Sequence, residues 1–448
     1  MRQVLWFRRD LRINDSAILS KAKDEVLPIF IFDTDILNSL NKDDKRVTFI
    51  YKSVCNLKKS LKSIGLDLAV FYGRPKEIFS KLRNLGFNEV LCSCDFDEYS
   101  IQRDKEIEQI LPMKRYSDSF IIKPWDVLKK DNTAYKVFTP FYKSLDFLWK
   151  SDSLVLHKRN ENLKLFAFDY ESFPTLETMG FKEEKLPRFL YQSTDKLIDN
   201  FSLNIEEYEL SRDYFFKSAG SSLGVHLRFG LISPKELFNK IKALNKKNSE
   251  VYIRQLFWRE FYNYILFHFP NSQNENFNGI KIKWNENEED FLKWCEGNTG
   301  VPIIDAAMRY FNKTGLMHNR LRMIVASFLT KNLLIDWKKG EKYFASKLLD
   351  YEASSNIGSW QWAASTGADA VPYFRIFNPY LQSEKFDKNA IFIKRVISKL
   401  KDVDSRLIHK ENGLKNNLLV DYIKPMVSIS LSRNRAIETF KRAKNEKA

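Results

Sequence analysis

The side chains best suited to chemistry gather in residues 356–378, NIGSWQWAASTGADAVPYFRIFN. Asn356 precedes Trp360, Gln361 and Trp362, and after a run of small residues come Tyr373, Phe374 and Arg375. Tryptophan is the largest apolar side chain and seldom disappears completely into a core. Two of them at i and i+2 cannot share one helical face, so Trp360 and Trp362 need different surroundings. A tightly packed aromatic core is one explanation. A wall around a flat, redox-active ring is the other. Two further groups bear on the choice. Gln255, Trp258, Arg259 and Tyr262 recur at i, i+3, i+4 and i+7, and Asn319, Arg322 and Met323 share a second face. An amphipathic bundle helix with a polar rim would produce the same spacing. Amide, guanidinium, thioether and indole groups on interior faces nevertheless need partners, and a polar ligand would supply them.

The elements that must position these groups are helices. Residues 249–269 read as one, with Ser249 as N-cap and Pro270 as its stop. Pro302 opens a second, which ends by Gly315, and a third spans about 319–334. The chain before residue 205 is built differently. Apolar runs at 4–7, 27–32, 68–72 and 90–93 read as buried strands, alternating with helical patterns at 45–64, 75–85 and 98–111. That order predicts a parallel, doubly wound α/β domain over residues 1–130. A weakly patterned linker follows over 131–204, and an all-α domain over 205–448. The chain has no GxGxxG, which demotes a nicotinamide dehydrogenase.

Composition narrows the partners. The 448 residues are 44% hydrophobic, enough for more than one sizeable core. Lysine and arginine number 73 against 57 acids, giving +16, which favours a polyanion: nucleic acid first, a membrane surface second. Cys55, Cys92, Cys94 and Cys295 suit neither a zinc site nor a disulfide framework. No signal-peptide pattern opens the chain and no apolar run approaches a membrane span. A soluble, cytoplasmic protein without a metal is expected, and a monomer.

Five stretches together carry a family resemblance. They are LWFRRDLRINDSAIL at 5–19, YKVFTPF at 135–141, LFWREFY at 256–262, GNTGVPIIDAAMRYFNKTGLMHNRLRMIVASFLTKNLLIDWKKGEKYF at 297–344, and the WQW segment described above. In this order and spacing the chain resembles the DNA photolyase/cryptochrome family over essentially its whole length. It is most similar to the class I bacterial cyclobutane pyrimidine dimer photolyases. The resemblance implies an α/β antenna domain, a linker and a helical domain that binds FAD. Its activity would be light-driven repair of pyrimidine dimers in DNA by electron transfer from excited reduced FAD to a flipped-out dimer. A second, antenna chromophore (a folate, a deazaflavin or a flavin) accompanies FAD in many relatives. Tyr99 and Ser100 stand where folate-binding relatives have an Asn-Glu pair, and the resemblance does not choose among antennas.

Matched position by position, the resemblance assigns FAD contacts to Tyr208, Gly220, Ser221, Ser222, Leu223, Gly224, Tyr252, Arg259, Asp350, Tyr351, Glu352 and Asn356. Ser222 and Gly224 depart from the pattern, where a basic residue and a serine are frequent. Asn356 would sit beside flavin N5, and Arg322 and Asp350 would form an ion pair near the isoalloxazine. Trp360, Trp337 and Trp284 match a three-tryptophan electron relay. Trp258 and Trp362 would wall the lesion pocket, Asn319 and Met323 would contact the dimer, and Arg212, Arg320, Arg375 and Gln382 are candidates for DNA or lesion-edge contacts. Gln255 stands where a glutamate is usual and Leu316 where a tryptophan is frequent. The glutamine is more familiar in the single-strand-preferring and (6-4) branches. Competing expectations are a cryptochrome-type photoreceptor, against which the chain's end at Ala448 without a long tail counts, and a flavoprotein without light chemistry.

Overall fold

The computed structural model describes residues 2–151, 153–217, 219–415 and 420–446, with the side chains of 149 and 150 outside the description. Ala448 therefore lies outside the described residues. The chain forms two compact units. One comprises Met1–Tyr135, Thr139–Leu203 and Ser221–His268, the other Lys136–Phe138, Asn204–Gly220 and Phe269–Ala448.

The first unit is built on a parallel sheet of β1 (Arg2–Phe7), β2 (Glu25–Asp33), β3 (Ala69–Gly73), β4 (Glu89–Ser93), β5 (Met113–Tyr116) and the two-residue β6 (Lys164–Leu165). The order is β3-β2-β1-β4-β5, with β6 also on β2. In register, Val4 lies opposite Leu27 on one side and Val90 on the other. The strands read as continuous apolar runs because both faces are covered. Val4, Trp6, Leu27, Ile29, Val90 and Cys92 share one buried cluster with Phe79 and Leu82 of the helix Pro75–Asn84. That helix opens on Pro75, and Lys45–Lys62 opens on the Asp44 carboxylate, which accepts from Arg46 N.

This unit extends further along the chain than the expected boundary near residue 130. The helix Ser249–His268, expected within an all-α domain over 205–448, is grouped with this unit. The reason is a set of specific polar ties. Glu260, 1% exposed, accepts from Ile121 N at 2.9 Å and Ile122 N at 3.1 Å. Tyr264 donates its hydroxyl to Val127 O at 2.8 Å and accepts from Tyr135 N at 3.0 Å. The helix ends at His268 and Pro270 opens a 3-10 turn, as the proline stop requires.

The second unit is helical. Pro302–Thr314 ends on Gly315 with φ of 71°, a left-handed cap. Asn319–Ser327 follows, shorter than the helix expected over 319–334, because Phe328–Asn332 widens into a π turn. The wider turn delivers Lys331, fully buried, to the end of another helix, Ala353–Ala364. There its ammonium donates to Ala364 O at 3.1 Å and Ser365 Oγ at 2.8 Å and lies 3.4 Å from the centre of the Phe440 ring. A cation suits the negative end of a helix, while burial pulls its pKa well below the usual lysine range.

Helix Ala353–Ala364 lies against helix Trp337–Ala345 at Gly340. A Cβ at Gly340 would overlap Trp360 Cη2 and Cζ3 and Leu329 Cδ2. No helix among the described residues is long and apolar enough to cross a membrane. Two outcomes test these ties. Glu260→Ala leaves two buried N–H groups without an acceptor and lowers unfolding free energy by about 2–4 kcal/mol in urea titrations. Gly340→Ala forces Trp360 aside, costs about 1–3 kcal/mol and shifts tryptophan emission.

Candidate active site

Two helices of the second unit hold the group expected beside a flavin. Asn356, 8% exposed, sits one turn into Ala353–Ala364, and its Nδ2 donates to Glu341 Oε1 at 2.9 Å and Glu341 O at 3.2 Å. Both donor bonds go to one residue of Trp337–Ala345. With the nitrogen so fixed, Oδ1 is the atom left to meet a donor. Burial raises the Glu341 carboxyl pKa, while hydrogen bonds from Asn356 and Tyr351 lower it. Two residues before Asn356, the buried Ser354 Oγ has no partner among the described residues.

Arg322 and Asp350 form the expected ion pair. Nη2 reaches Oδ1 at 2.9 Å and Oδ2 at 2.8 Å, and Nε donates to Met317 O at 2.8 Å. The guanidinium is thus held by three acceptor atoms. Tyr351 is half-buried and Glu352 buried, the latter at the start of Ala353–Ala364. Tyr208 is buried under the Arg212 guanidinium, 5.7 Å from its ring centre. Gly220 is exposed, with open space where a side chain would be.

In the first unit, Tyr252 donates its hydroxyl to Ser221 Oγ at 2.8 Å. Ser222 follows with φ of 58° and the buried Leu223 leads into the short helix Gly224–Arg228. No side chain caps that helix, so its first N–H groups are left to another acceptor. Nothing in the structure explains the departure at Ser222. Arg259 lies on the same helix as Tyr252. It donates to Ser119 O at 2.8 Å and its guanidinium lies 4.3 Å from the Phe120 ring centre. These contacts fasten helix Ser249–His268 to the segment after β5.

The tryptophans fall on a gradient of burial. Trp360 is 2% exposed, Trp337 1%, and Trp284 half-buried. All three belong to, or pack on, the same core cluster. Trp360 meets Trp294 edge-on at 6.0 Å and Phe344 at 5.1 Å, while Trp362 is half-buried, so the two indoles of WQW do have different surroundings. Trp337 Nε1 donates to Asn276 Oδ1 at 2.8 Å. Trp284 packs edge-on against Phe440 at 6.0 Å.

The substrate candidates divide. Asn319 is exposed, with its Nδ2 3.8 Å from the half-buried Met323 Sδ. Gln255 turns Nε2 back to Val251 O at 3.2 Å. Trp258 is half-buried with Phe261 and Tyr262 each at 5.9 Å. Arg375 is exposed, and the half-buried Gln382 has a buried Oε1 without a partner among the described residues. Arg320 is already engaged: it pairs with Asp213 at 2.8 Å and lies 4.4 Å over Phe386. Just before it, His318 Nδ1 accepts from Arg320 N at 3.1 Å. That bond needs a neutral ring, and burial lowers the His318 pKa to about 4. Among the described residues no group of three or more His, Cys, Asp or Glu side chains could hold a metal.

Sequence reasoning missed Glu341, Asn276 and Lys331. Glu341 stood inside the WKKGEKYF string but had no visible reason to be more than a surface charge. The groups present suit a flavin. In the second unit an amide oxygen awaits a donor, a guanidinium would balance an anionic ring, and a buried hydroxyl has no partner among the described residues.

A family model described as DNA photolyase matches residues 3–153, and one described as the FAD binding domain of DNA photolyase matches residues 252–442. The chain is 34% identical to a deoxyribodipyrimidine photo-lyase of Alkalihalophilus pseudofirmus over 98% of both chains. It is 31% identical to that of Escherichia coli over 99% of both. Among solved structures, a bacterial class III photolyase from Agrobacterium tumefaciens superposes with a TM-score of 0.84 at 30% identity, covering 99% of this chain and 98% of the other. An archaeal photolyase from Sulfolobus tokodaii, solved with two FAD molecules, gives 0.85 at 32%, covering 99% and 100%. A Synechocystis cryptochrome shares the fold, with a TM-score of 0.87 at 23% identity, over 98% of this chain and 99% of the other. With an α/β unit, a helical FAD-binding domain and relatives of this identity along its full length, the chain belongs to the DNA photolyase family.

Proposed function

We propose that this protein repairs cyclobutane pyrimidine dimers in DNA with light. The observation that carries the reading is the clamp on Asn356, whose Nδ2 is committed to Glu341 while Oδ1 is left to accept from a reduced ring. FAD, when bound, supplies the excited electron that splits the dimer. The chain's own groups do the rest. Asn356 Oδ1 would accept a hydrogen bond from a protonated ring nitrogen and so would favour the reduced cofactor. Arg322, fixed by Asp350, places a positive charge where the reduced flavin is anionic. Tyr252, Ser221 and the leading N–H groups of Gly224–Arg228 would hold its phosphate and ribitol end.

Trp258 and Trp362 exclude water from the lesion, and Asn319 and Met323 meet the dimer. Gln255, with its nitrogen turned back on its own helix, offers an amide oxygen where a carboxylate is usual. It keeps an acceptor but loses a charge, which supports testing single-stranded DNA as well as duplex. The +16 charge supports phosphate binding. Trp360, Trp337 and Trp284 would pass electrons inward from a soluble reductant such as a thiol, which refills Trp284 after each transfer, to restore the reduced cofactor. The relatives named deoxyribodipyrimidine photo-lyase support this substrate.

Blue light should remove dimers from irradiated oligonucleotides when the FAD is fully reduced, and darkness should not. No loss under light would move the assignment to a photoreceptor. Trp360→Phe should slow light-driven reduction of oxidised FAD by at least about tenfold, on the scale of one lost short electron hop worth more than about 1.4 kcal/mol, and leave repair by pre-reduced protein intact. Equal loss of both would remove Trp360 from the relay. Binding to dimer-containing duplex should weaken steeply from 50 to 200 mM salt.

A further inference from the structure

We propose that Asn276 is a positioning residue of the electron path: its amide oxygen, 2.8 Å from Trp337 Nε1, holds that indole as a station that passes on a positive charge without losing its proton. The inference rests on the relay reading above and adds what governs its middle step.

Trp337 is 1% exposed, so water does not solvate its N–H. The one polar atom of the indole is spent on Asn276 Oδ1. Asn276 cannot turn its other end to the ring, because its Nδ2 donates to Ile280 O at 2.6 Å. The amide is thus fixed with its oxygen toward the indole.

The electron count is simple. Trp360 gives one electron to the oxidised flavin, Trp337 gives one to Trp360, and Trp284 gives one to Trp337. An indole that has lost an electron becomes a cation with an acidic N–H. A hydrogen bond to a charged donor is stronger than one to a neutral donor, so Asn276 stabilises Trp337 in its oxidised form. An amide oxygen is a very weak base, so it accepts the bond and not the proton. Were the proton lost at Trp337, the neutral radical would be a poorer oxidant and the charge would stall there. Trp284 is half-buried and flanked by the exposed Lys281 and Lys283. Its proton leaves to water, so release occurs at the outer end alone. Two features are thereby explained together: why the middle indole is buried, and why its partner is an amide and not a carboxylate.

The test uses the full chain loaded with oxidised FAD, excited by a short flash, with the visible absorption of cationic and neutral tryptophan radicals followed in time. In the unaltered protein the neutral radical should form late and only when Trp284 is present. Asn276→Leu removes the acceptor and should lower the yield of charge reaching Trp284 by about tenfold, a differential bond strength typical of charged hydrogen bonds. Asn276→Asp supplies a base and should give an early neutral radical that persists in the Asn276→Asp, Trp284→Phe double variant. A ligand-free readout accompanies these: the ultraviolet resonance Raman band of a hydrogen-bonded indole N–H, identified by its loss in Trp337→Phe, should shift in Asn276→Leu.

Radical kinetics unchanged in both Asn276 variants, while Trp284→Phe blocks charge transfer, would overturn this inference and leave the relay standing. If Trp284→Phe also changes nothing, the relay reading itself fails.

Discussion

The hydrogen bonds from Asn356 to Glu341 are the constraint on which the site depends. A buried amide must satisfy its donors, and here both bonds go to one residue on the neighbouring helix. That choice fixes which atom of Asn356 faces outward. It also fixes the spacing of the two helices, which Gly340 makes close enough for Trp360 to lie against the backbone. Asn356 and Trp360 are four residues apart and share a face, while Trp362 takes another. Lys331 and the left-handed Ser365 close the far end of the same helix. One helix of 12 residues therefore carries a proposed cofactor contact, a proposed electron donor and a proposed lesion wall, with each end anchored by a polar tie.

Much of the architecture was legible in the sequence because its signals are local. Alternating apolar runs and helical patterns marked the parallel sheet, and Pro75, Pro302 and Gly315 marked helix ends where they occur. The strand Met113–Tyr116 was missed because MKRY carries two cations and is only partly buried. The π turn Phe328–Asn332 was missed because one extra residue in a turn leaves apolar periodicity nearly unchanged. The placement of Ser249–His268 depended on Glu260 finding backbone donors 139 and 138 positions away.

The site divided along the same line. Residue types and spacing indicated indoles in separate surroundings, and the resemblance implied an arginine paired with an acid. The family resemblance attached roles to them. What neither could supply was the partner of each polar group. Glu341 lies 15 positions from Asn356, Asn276 61 from Trp337, and Lys331 33 from Ala364. Such distances carry no periodic signal. Arg259 and Arg320 show the same limit: the strings that hold them do not reveal Ser119 and Asp213 as their partners. A guanidinium already paired with an acid offers less to a phosphate than the exposed Arg375 does.

The central claim is that light absorbed by this chain's reduced cofactor breaks the bonds of a pyrimidine dimer. The action spectrum of dimer loss is its most direct test. Loss per absorbed photon, measured across the near-ultraviolet and blue on a dimer-containing oligonucleotide, should follow the absorption spectrum of the fully reduced protein, with any additional band marking a second chromophore. Dimer loss that ignores wavelength, or that proceeds equally in the dark, would contradict the account.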